Sequence, residues 1–374
     1  MSLAFAMPTP RKSTIRYAVV GLGYIAQAAV LPAFRHARSN SQLVALISGD
    51  AEKRAELAKR YGVPAFGYEE YDELLASGAV DVVYIALPND RHRDFTIRAA
   101  KRGVHVLCEK PLAVDERECK AMIEACRKHR VKLMTAYRLH FERATLHAIA
   151  SVKEGLIGRP LSFVSSFTLT VASPDNIRAN PRAQGGGTLY DIGVYCINAA
   201  RHLFRAEPVE VSAMTTGRKG SIEETAAAVL RFPGDRLASF CVSFGADKTS
   251  EYRIVGTRGS LRADPAYELA SGLKLHITRG DRKRTIAYRK RDQFAPELMH
   301  FSDYILKNRE PEPAGNEGLA DVRIIRALYR SAETGRAVAL ERKPGRRTPT
   351  RRHEITRPPA RMPRMVGATP PSGG

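Results

Sequence analysis

The stretch Ile15-Arg-Tyr-Ala-Val-Val20-Gly21-Leu-Gly23-Tyr24-Ile25-Ala26 decides how the rest of this chain is read. Ile15 to Val20 is the near-continuous apolar run of a strand buried on both faces of a parallel sheet. It passes at once into G-x-G-x-x-A, and a helical stretch follows to about Arg35. Each small residue in that turn has its own task. Gly21 permits the tight turn, Gly23 lets backbone approach a pyrophosphate, and Ala26 allows helix to pack closely on strand while the helix N-terminus faces the phosphates. The pattern alone is weak, and it is the flanking strand and helix that raise dinucleotide binding above coincidence.

Working outward, Leu43 to Ile47 reads as a second strand ending at Ser48-Gly-Asp50, with Lys53 and Arg54 opening an amphipathic helix to about Tyr61. Sites that prefer NAD place a carboxylate at this strand end for the ribose 2′-hydroxyl, whereas NADP sites bring a cation to the 2′-phosphate. Ser48 with Lys53 favours NADP, with NAD as the alternative; Asp50 is either the helix N-cap or a ribose ligand. Asp81 to Leu87 gives a third strand closing on Pro88-Asn89, with a helix from about His92 to Arg102. Val104 to Cys108 is a fourth, running into Glu109-Lys110-Pro111, and Glu116 to His129 then Lys132 to Tyr137 continue the alternation of a doubly wound sheet. Ligands in such sheets collect outside the carboxyl ends of the strands, which is where Glu109 and Lys110 stand.

After about Leu156 the pattern changes to long β-prone segments, Leu161 to Val171, Val209 to Thr216, Ala226 to Phe232, Leu237 to Phe244, Glu251 to Val255 and Leu273 to Thr278, divided by turns such as Pro233-Gly-Asp235. The fold class is therefore α/β: an N-terminal Rossmann doubly wound parallel sheet, then a C-terminal α+β domain with a large open, mostly antiparallel sheet. The expected boundaries are 1–14 as a flexible N-terminus, 15–138 as the dinucleotide-binding domain, 139–341 as a substrate and oligomerisation domain, and 342–374 as a basic disordered tail. Late helices, Pro296 to Lys307 and Gly318 to Thr334, are expected to return toward the first domain. Within the second domain Gly185-Gly-Gly187 leads into a helical stretch to about Phe204, where Asp191 and Tyr195, four apart, share a face.

Composition narrows the classes of function. The 374 residues carry a net charge of +21, but residues 342–374 hold eight arginines, one lysine and one glutamate, so much of the excess lies outside any core. No helix-turn-helix, RNP-type aromatics or zinc spacing accompanies that charge, which leaves nucleic acid an improbable partner. Five cysteines show no C-x-x-C spacing, and no H-E-x-x-H or His/Cys cluster supports a metal. No apolar run is long enough for a membrane span, and Met1 to Met7 is too short for a signal h-region, so a cytoplasmic protein is expected.

On Gly21 to Ala26, Leu87-Pro88-Asn89 with His92, Cys108-Glu109-Lys110-Pro111, Ala136-Tyr137-Arg138 with His140, Gly185 to Tyr195 and Glu317-Gly-Leu-Ala-Asp321-Val, taken in order, the chain resembles the Gfo/Idh/MocA oxidoreductase family, and most closely its glucose-fructose oxidoreductase branch. The resemblance covers about Ile15 to Leu340. It implies hydride transfer between a nicotinamide and a sugar carbon, and an open C-terminal sheet used for homo-oligomer contacts. It makes Gly21, Gly23, Tyr24, Ile25, Ala26, Ser48, Lys53, Leu87, Pro88, Asn89, His92, Glu109, Lys110 and Arg138 the cofactor-binding set. Lys110, Tyr137, His140, Arg178, Asp191 and Tyr195 become the substrate set, with Lys110, Asp191 and Tyr195 catalytic. Tyrosine at 195, where many members carry histidine, points to the branch; Ile177-Arg178, where the branch has Trp-Arg, departs from it, as does the missing export signal.

Oxidising a carbinol requires removal of its hydroxyl proton as the hydride leaves, so a base must stand near the nicotinamide. Tyr195 is the candidate, and a neighbouring ammonium such as Lys110 would favour its phenolate. A tyrosine more commonly rests its hydroxyl on a backbone carbonyl, and only the surrounding motif reverses that order. The competing reading is a cofactor-binding regulator that has lost catalysis; intact Lys110, Asp191 and Tyr195 argue against it.

Overall fold

The computed structural model describes residues 13–171, 176–217, 222–341 and 348–370; the N-terminal residues 1–12 lie outside them. Contacts divide the chain into two units. The first holds the residues up to 138 together with 292–319 and 356–370, and the second holds 139–291 and 320–355.

The first unit opens with β1 (Ile15–Val20), a wide π-helical turn (Ala26–Val30) running into α1 (Leu31–Ala33), and β2 (Ser41–Ile47). It continues with α2 (Ala51–Tyr61), β3 (Ala65–Phe66), α3 (Tyr71–Ala76), β4 (Val82–Ile85), α4 (His92–Lys101), β5 (His105–Glu109), α5 (Glu116–Lys128) and β6 (Leu133–Ala136). The six strands are parallel, in the order β3-β2-β1-β4-β5-β6. This is a doubly wound sheet whose strand order reverses beside β1, where a crevice for a ligand opens. All of β4 and β6 is buried, which is why these strands read as unbroken apolar runs.

The second unit contains α6 (Arg143–Lys153), β7 (Pro160–Thr168), α7 (Val194–Phe204), β8 (Glu210–Thr216), β9 (Thr225–Phe232), β10 (Arg236–Ser243), β11 (Thr249–Gly256), β12 (Gly259–Ala263), β13 (Lys274–Arg279), β14 (Arg282–Ala287) and β15 (Val338–Ala339). They form a nine-stranded sheet, β14-β13-β12-β11-β7-β10-β9-β8-β15, antiparallel except where β7 runs parallel to β10. Burial alternates along β9, with Ala226, Ala228, Leu230 and Phe232 inward. Helix α7 covers that inner face, Phe204 lying edge-on to Phe232 at 4.9 Å and Tyr195 edge-on to Phe167 at 5.6 Å. The outer face carries Val164, Met214, Val229, Leu237 and Val255, all exposed.

Two expected boundaries need correction. Residues 292–319, numbered within the second domain though its late helices are expected to return toward the first, belong to the first unit and pack on its sheet through α8 (Phe294–Leu306) and the start of α9 (Gly315–Thr334). The reason is local: Tyr17, fully buried in β1, must place its hydroxyl, which donates to Leu298 O at 3.1 Å and meets Ser302 Oγ at 2.8 Å. Thr135 N in β6 likewise donates to Pro313 O.

The second correction concerns the tail. Residues 342–347 and 371–374 lie outside the described residues, but 348–370 are placed, and 356–370 pack against the first unit. An absence of apolar periodicity excludes a docking helix; it does not exclude an extended, proline-rich chain, which is stiff before it binds and docks through its backbone. Arg357 Nε donates to His36 O at 3.0 Å, Arg60 Nη1 donates to Arg364 O at 2.7 Å, and Val366 is buried. Among the described residues no helix is long and apolar enough to cross a membrane.

Candidate active site

The carboxyl ends of β1, β2, β4 and β5 carry the residues singled out for the cofactor. Gly21 has φ +90°, and a Cβ there would lie 2.5 Å from Ala86 O, so the turn after β1 admits only glycine against the end of β4. A Cβ at Gly23 would meet nothing within 4 Å. That open space fits a phosphate approaching the backbone. Tyr24 and Ile25 stand half-exposed on the first helical turn, while Ala26 is fully buried against the strand. Gln27, also buried, donates from Nε2 to Leu22 O at 2.8 Å and so braces the loop from beneath.

After β2, Ser48 is buried, and its Oγ accepts the Asp50 N–H at 3.2 Å. Asp50 is the N-cap of α2: Oδ1 accepts Lys53 N–H at 3.1 Å, and Oδ2 lies 3.3 Å from Lys53 Nζ. The Lys53 backbone N–H is the main reason the Asp50 carboxyl titrates below its ordinary range, with burial acting the other way and the Lys53 ammonium adding to the lowering. Of the two roles open to Asp50, the structure shows the cap.

Leu87 is buried and Pro88 and Asn89 half-buried at the end of β4. His92 departs from the expectation of a cofactor contact. It is fully buried, with Nε2 2.9 Å from Leu87 O and Nδ1 3.1 Å from Pro111 O, so its ring lies between the loops after β4 and β5 and donates to one of these two carbonyls. Burial lowers its pKa from the ordinary imidazole value.

At the end of β5, Glu109 accepts the Tyr84 hydroxyl on Oε1 at 2.8 Å and the Lys110 N–H on Oε2 at 3.2 Å. Tyr84 also lies 3.3 Å from Oε2 of Glu297, a fully buried glutamate in α8. One phenolic proton serves one carboxylate at a time, and the shorter contact is to Glu109. Burial raises the Glu297 carboxyl well above the ordinary range, with the charge of Glu109 adding to it. Burial also raises Glu109, opposed by the Lys110 ammonium. Neither Tyr84 nor Glu297 was singled out from the sequence. The signal was there: a tyrosine within an entirely buried strand and a lone acid within Phe294-Ala-Pro-Glu-Leu-Met both have to find polar partners. Tyr137 and Arg138 follow β6; both are buried, and Arg138 Nη1 donates to Gln293 Oε1.

Asp191 and Tyr195 belong to the second unit. Asp191 lies in a π-helical turn (Leu189–Gly193) that opens α7, and Tyr195 is one residue inside the α-helix. Both side chains are half-exposed. Arg178 Nε donates to Asp191 Oδ2 at 2.5 Å, with Asn176 Oδ1 accepting the Arg178 backbone N–H at 3.1 Å. Two residues of the expected substrate set are thus an ion pair. His140 is buried, its Nε2 2.9 Å from Asn198 Oδ1, and Asn198 Nδ2 donates to Asp321 Oδ2 at 2.9 Å.

With this geometry in hand, family models match residues 15–137, as the oxidoreductase family with an NAD-binding Rossmann fold, and residues 145–262, as the GFO/IDH/MocA C-terminal domain. The D-xylose 1-dehydrogenase [NADP(+)] of Haloarcula marismortui is 32% identical over 347 residues, 89% of this chain and 95% of that one. The chain belongs to the Gfo/Idh/MocA family. Among solved structures of that fold, the aldose-aldose oxidoreductase of Caulobacter crescentus, complexed with glycerol, superposes with a TM-score of 0.83 at 37% identity, covering 87% of this chain and all of that one. A 3-ketoreductase from Actinomadura kijaniata in complex with NADP and TDP-benzene gives a TM-score of 0.78 at 26% identity, covering 85% and 98%.

Proposed function

We propose that this protein is an NADP-dependent oxidoreductase that transfers a hydride between the nicotinamide and a sugar, a pyranose or related ketose. The observation that carries the reading lies in the first unit. The open glycine turn, the Ser48–Lys53 turn, Leu87–Asn89 and Glu109–Lys110 all stand at the carboxyl ends of neighbouring strands of one parallel sheet. NADP, when bound, supplies or accepts the hydride. Gly21 to Ala26 would take the pyrophosphate, Ser48 and Lys53 the adenosine 2′-phosphate, Leu87 to Asn89 and Arg138 the nicotinamide half, and Glu109 the adjacent ribose. NADP appears in the names of both the xylose dehydrogenase and the ketoreductase complex.

The chain's own chemistry is the movement of one proton. On the family resemblance, Tyr195 Oη would take it from the substrate hydroxyl, with Lys110 as its partner in the transfer. Asp191, its charge compensated by Arg178, orients sugar hydroxyls with His140 and Tyr137. The exposed Val164, Met214, Val229, Leu237 and Val255 form a patch on the outer sheet face that we assign to homo-oligomer contact.

The test is a panel of aldoses and ketoses offered with NADP+ or NADPH, followed at the nicotinamide absorbance, alongside fluorescence titration of NADPH and NADH. Turnover of a sugar with tighter NADPH than NADH is expected. Nucleotide binding with no turnover across the panel would hand the site to the regulator reading.

A further inference from the structure

The end of the chain reaches the nucleotide site. Residues 356–370 belong to the first unit, and Val366 pairs through both of its backbone groups with one side chain: Gln27 Nε2 donates to Val366 O at 2.8 Å, and Val366 N donates to Gln27 Oε1 at 2.8 Å. Gln27 is the residue after the G-x-G-x-x-A turn, and the same Nε2 holds Leu22 O inside that turn. At the next position, Gly367 has φ +51°, and a Cβ built there would lie 3.0 Å from Lys53 Cε and 3.7 Å from Lys53 Nζ and Asp50 Oδ2. Val366 therefore touches the turn after β1, and Gly367 lies beside Asp50 and Lys53 at the start of α2, next to the two places that hold the phosphates of a dinucleotide in this fold.

Upstream, the segment is fastened by Arg357 on His36 O and by Arg60 on Arg364 O. Pro359, Ala360, Arg361 and Pro363 border a groove with Phe34 and Tyr61. The family models end at residue 262, and 87% of this chain suffices to cover the Caulobacter enzyme completely. Gln27 is fully buried, and it finds both its donor and its acceptor in one backbone unit, so the contact is specific in register.

We propose that residues 356–370 are a strap that retains NADP(H), setting how fast the cofactor leaves by holding the glycine turn and Lys53 together at the adenosine end of the site. The proposal rests on the reading of the first unit as an NADP site. Lys53, contacted by Gly367 and paired with Asp50, would be kept over the 2′-phosphate. Release would then require the Gln27–Val366 pair to open, a local step of the kind that limits product release in many enzymes.

The experiment compares the full chain with a truncation after Ile355, a shorter truncation after Met365, and Val366→Pro, which removes the N–H donated to Gln27 and stiffens the backbone at that residue. NADPH is preloaded, chased with excess NADP+, and its dissociation followed by stopped-flow fluorescence; thermal melts without nucleotide show that each variant is folded. Dissociation is expected to speed up about tenfold or more in both truncations and in Val366→Pro, with association changing far less. Dissociation within about twofold of the full chain, in a shorter truncation that melts normally, overturns the strap. So does faster association with unchanged release, which would make the segment a plug. A full chain that binds no NADPH overturns the cofactor reading itself, and is distinguished from failure of the strap because no variant comparison is then needed.

Discussion

The two sheets solve the same burial problem in opposite ways. The parallel sheet of the first unit is buried on both faces, so β4 and β6 have no residue free to vary and their chemistry is displaced to the strand ends. The nine-stranded sheet buries one face only, so each strand has a row of side chains that the monomer's core does not use. One sheet can therefore change its site only through loops; the other can change its partners without changing its core.

The sharpest break of that contrast is Val83→Asp. Val83 is fully buried in β4, and a carboxylate there has no partner and no route to water, at a cost of about 5 kcal/mol or more. Loss of soluble, cooperatively melting protein is expected; a melt near wild type would mean the sheet has an open face after all. Next in size are Tyr195→Phe and Lys110→Met, one residue from each unit. Each should lower turnover by about two to four orders of magnitude while NADPH binding survives, and the double variant should be scarcely worse than either. Near-normal turnover in Tyr195→Phe would pass the role of base to Lys110 or His140.

A third test uses pH. The unfolded chain loses the Glu297 proton in the ordinary carboxylate range, while the folded chain holds it to a higher pH. That contribution to stability is complete below the ordinary range and is lost as pH rises toward the folded value. Glu109 shifts in the same direction. This part of the stability should therefore decline as pH rises above about 5, while the lowered pKa of buried His92 acts the other way, so the comparison is between wild type and Glu297→Gln. Glu297→Gln, which has no proton to lose, should flatten part of that decline, and parallel melting curves for the two proteins would refute the buried acid. The smallest effect belongs to Val229→Asp on the exposed row: monomer stability should move by less than about 0.5 kcal/mol, while sedimentation shows a shift to smaller species. An unchanged sedimentation profile would leave the face without the partner proposed for it.

What could be read from the sequence follows the same division. The strands of the first sheet announced themselves because burial on both faces writes an apolar run, and Gly21 to Ala26 because one turn geometry needs small residues at fixed positions. Strand β14, Arg282 to Ala287, was missed because its side chains are mostly exposed and only pairing with β13 defines it. For Glu297 and Tyr84 the need of a polar partner is legible locally, but not that the partner lies 213 positions away. The docking of 356–370 is illegible for a related reason: two of its attachments, at Val366 and at Arg364 O, are backbone groups, on which side-chain composition is silent, and the third, Arg357, reads only as surface charge.

The wide turns at Ala26–Val30 and Leu189–Gly193 carry a consequence for how such a site can evolve. Each holds one more residue than an α-helical turn would. Deleting a single residue there, Ile192 for example, would relax the helix to regular geometry and turn what precedes it relative to Tyr195 by only a fraction of the roughly 100° step of one α-helical residue. Most helices are broken by an indel, but these two begin with a spare position, so a one-codon change could re-aim Asp191 against the tyrosine, and with it the sugar face presented for reaction, while the rest of α7 keeps its packing.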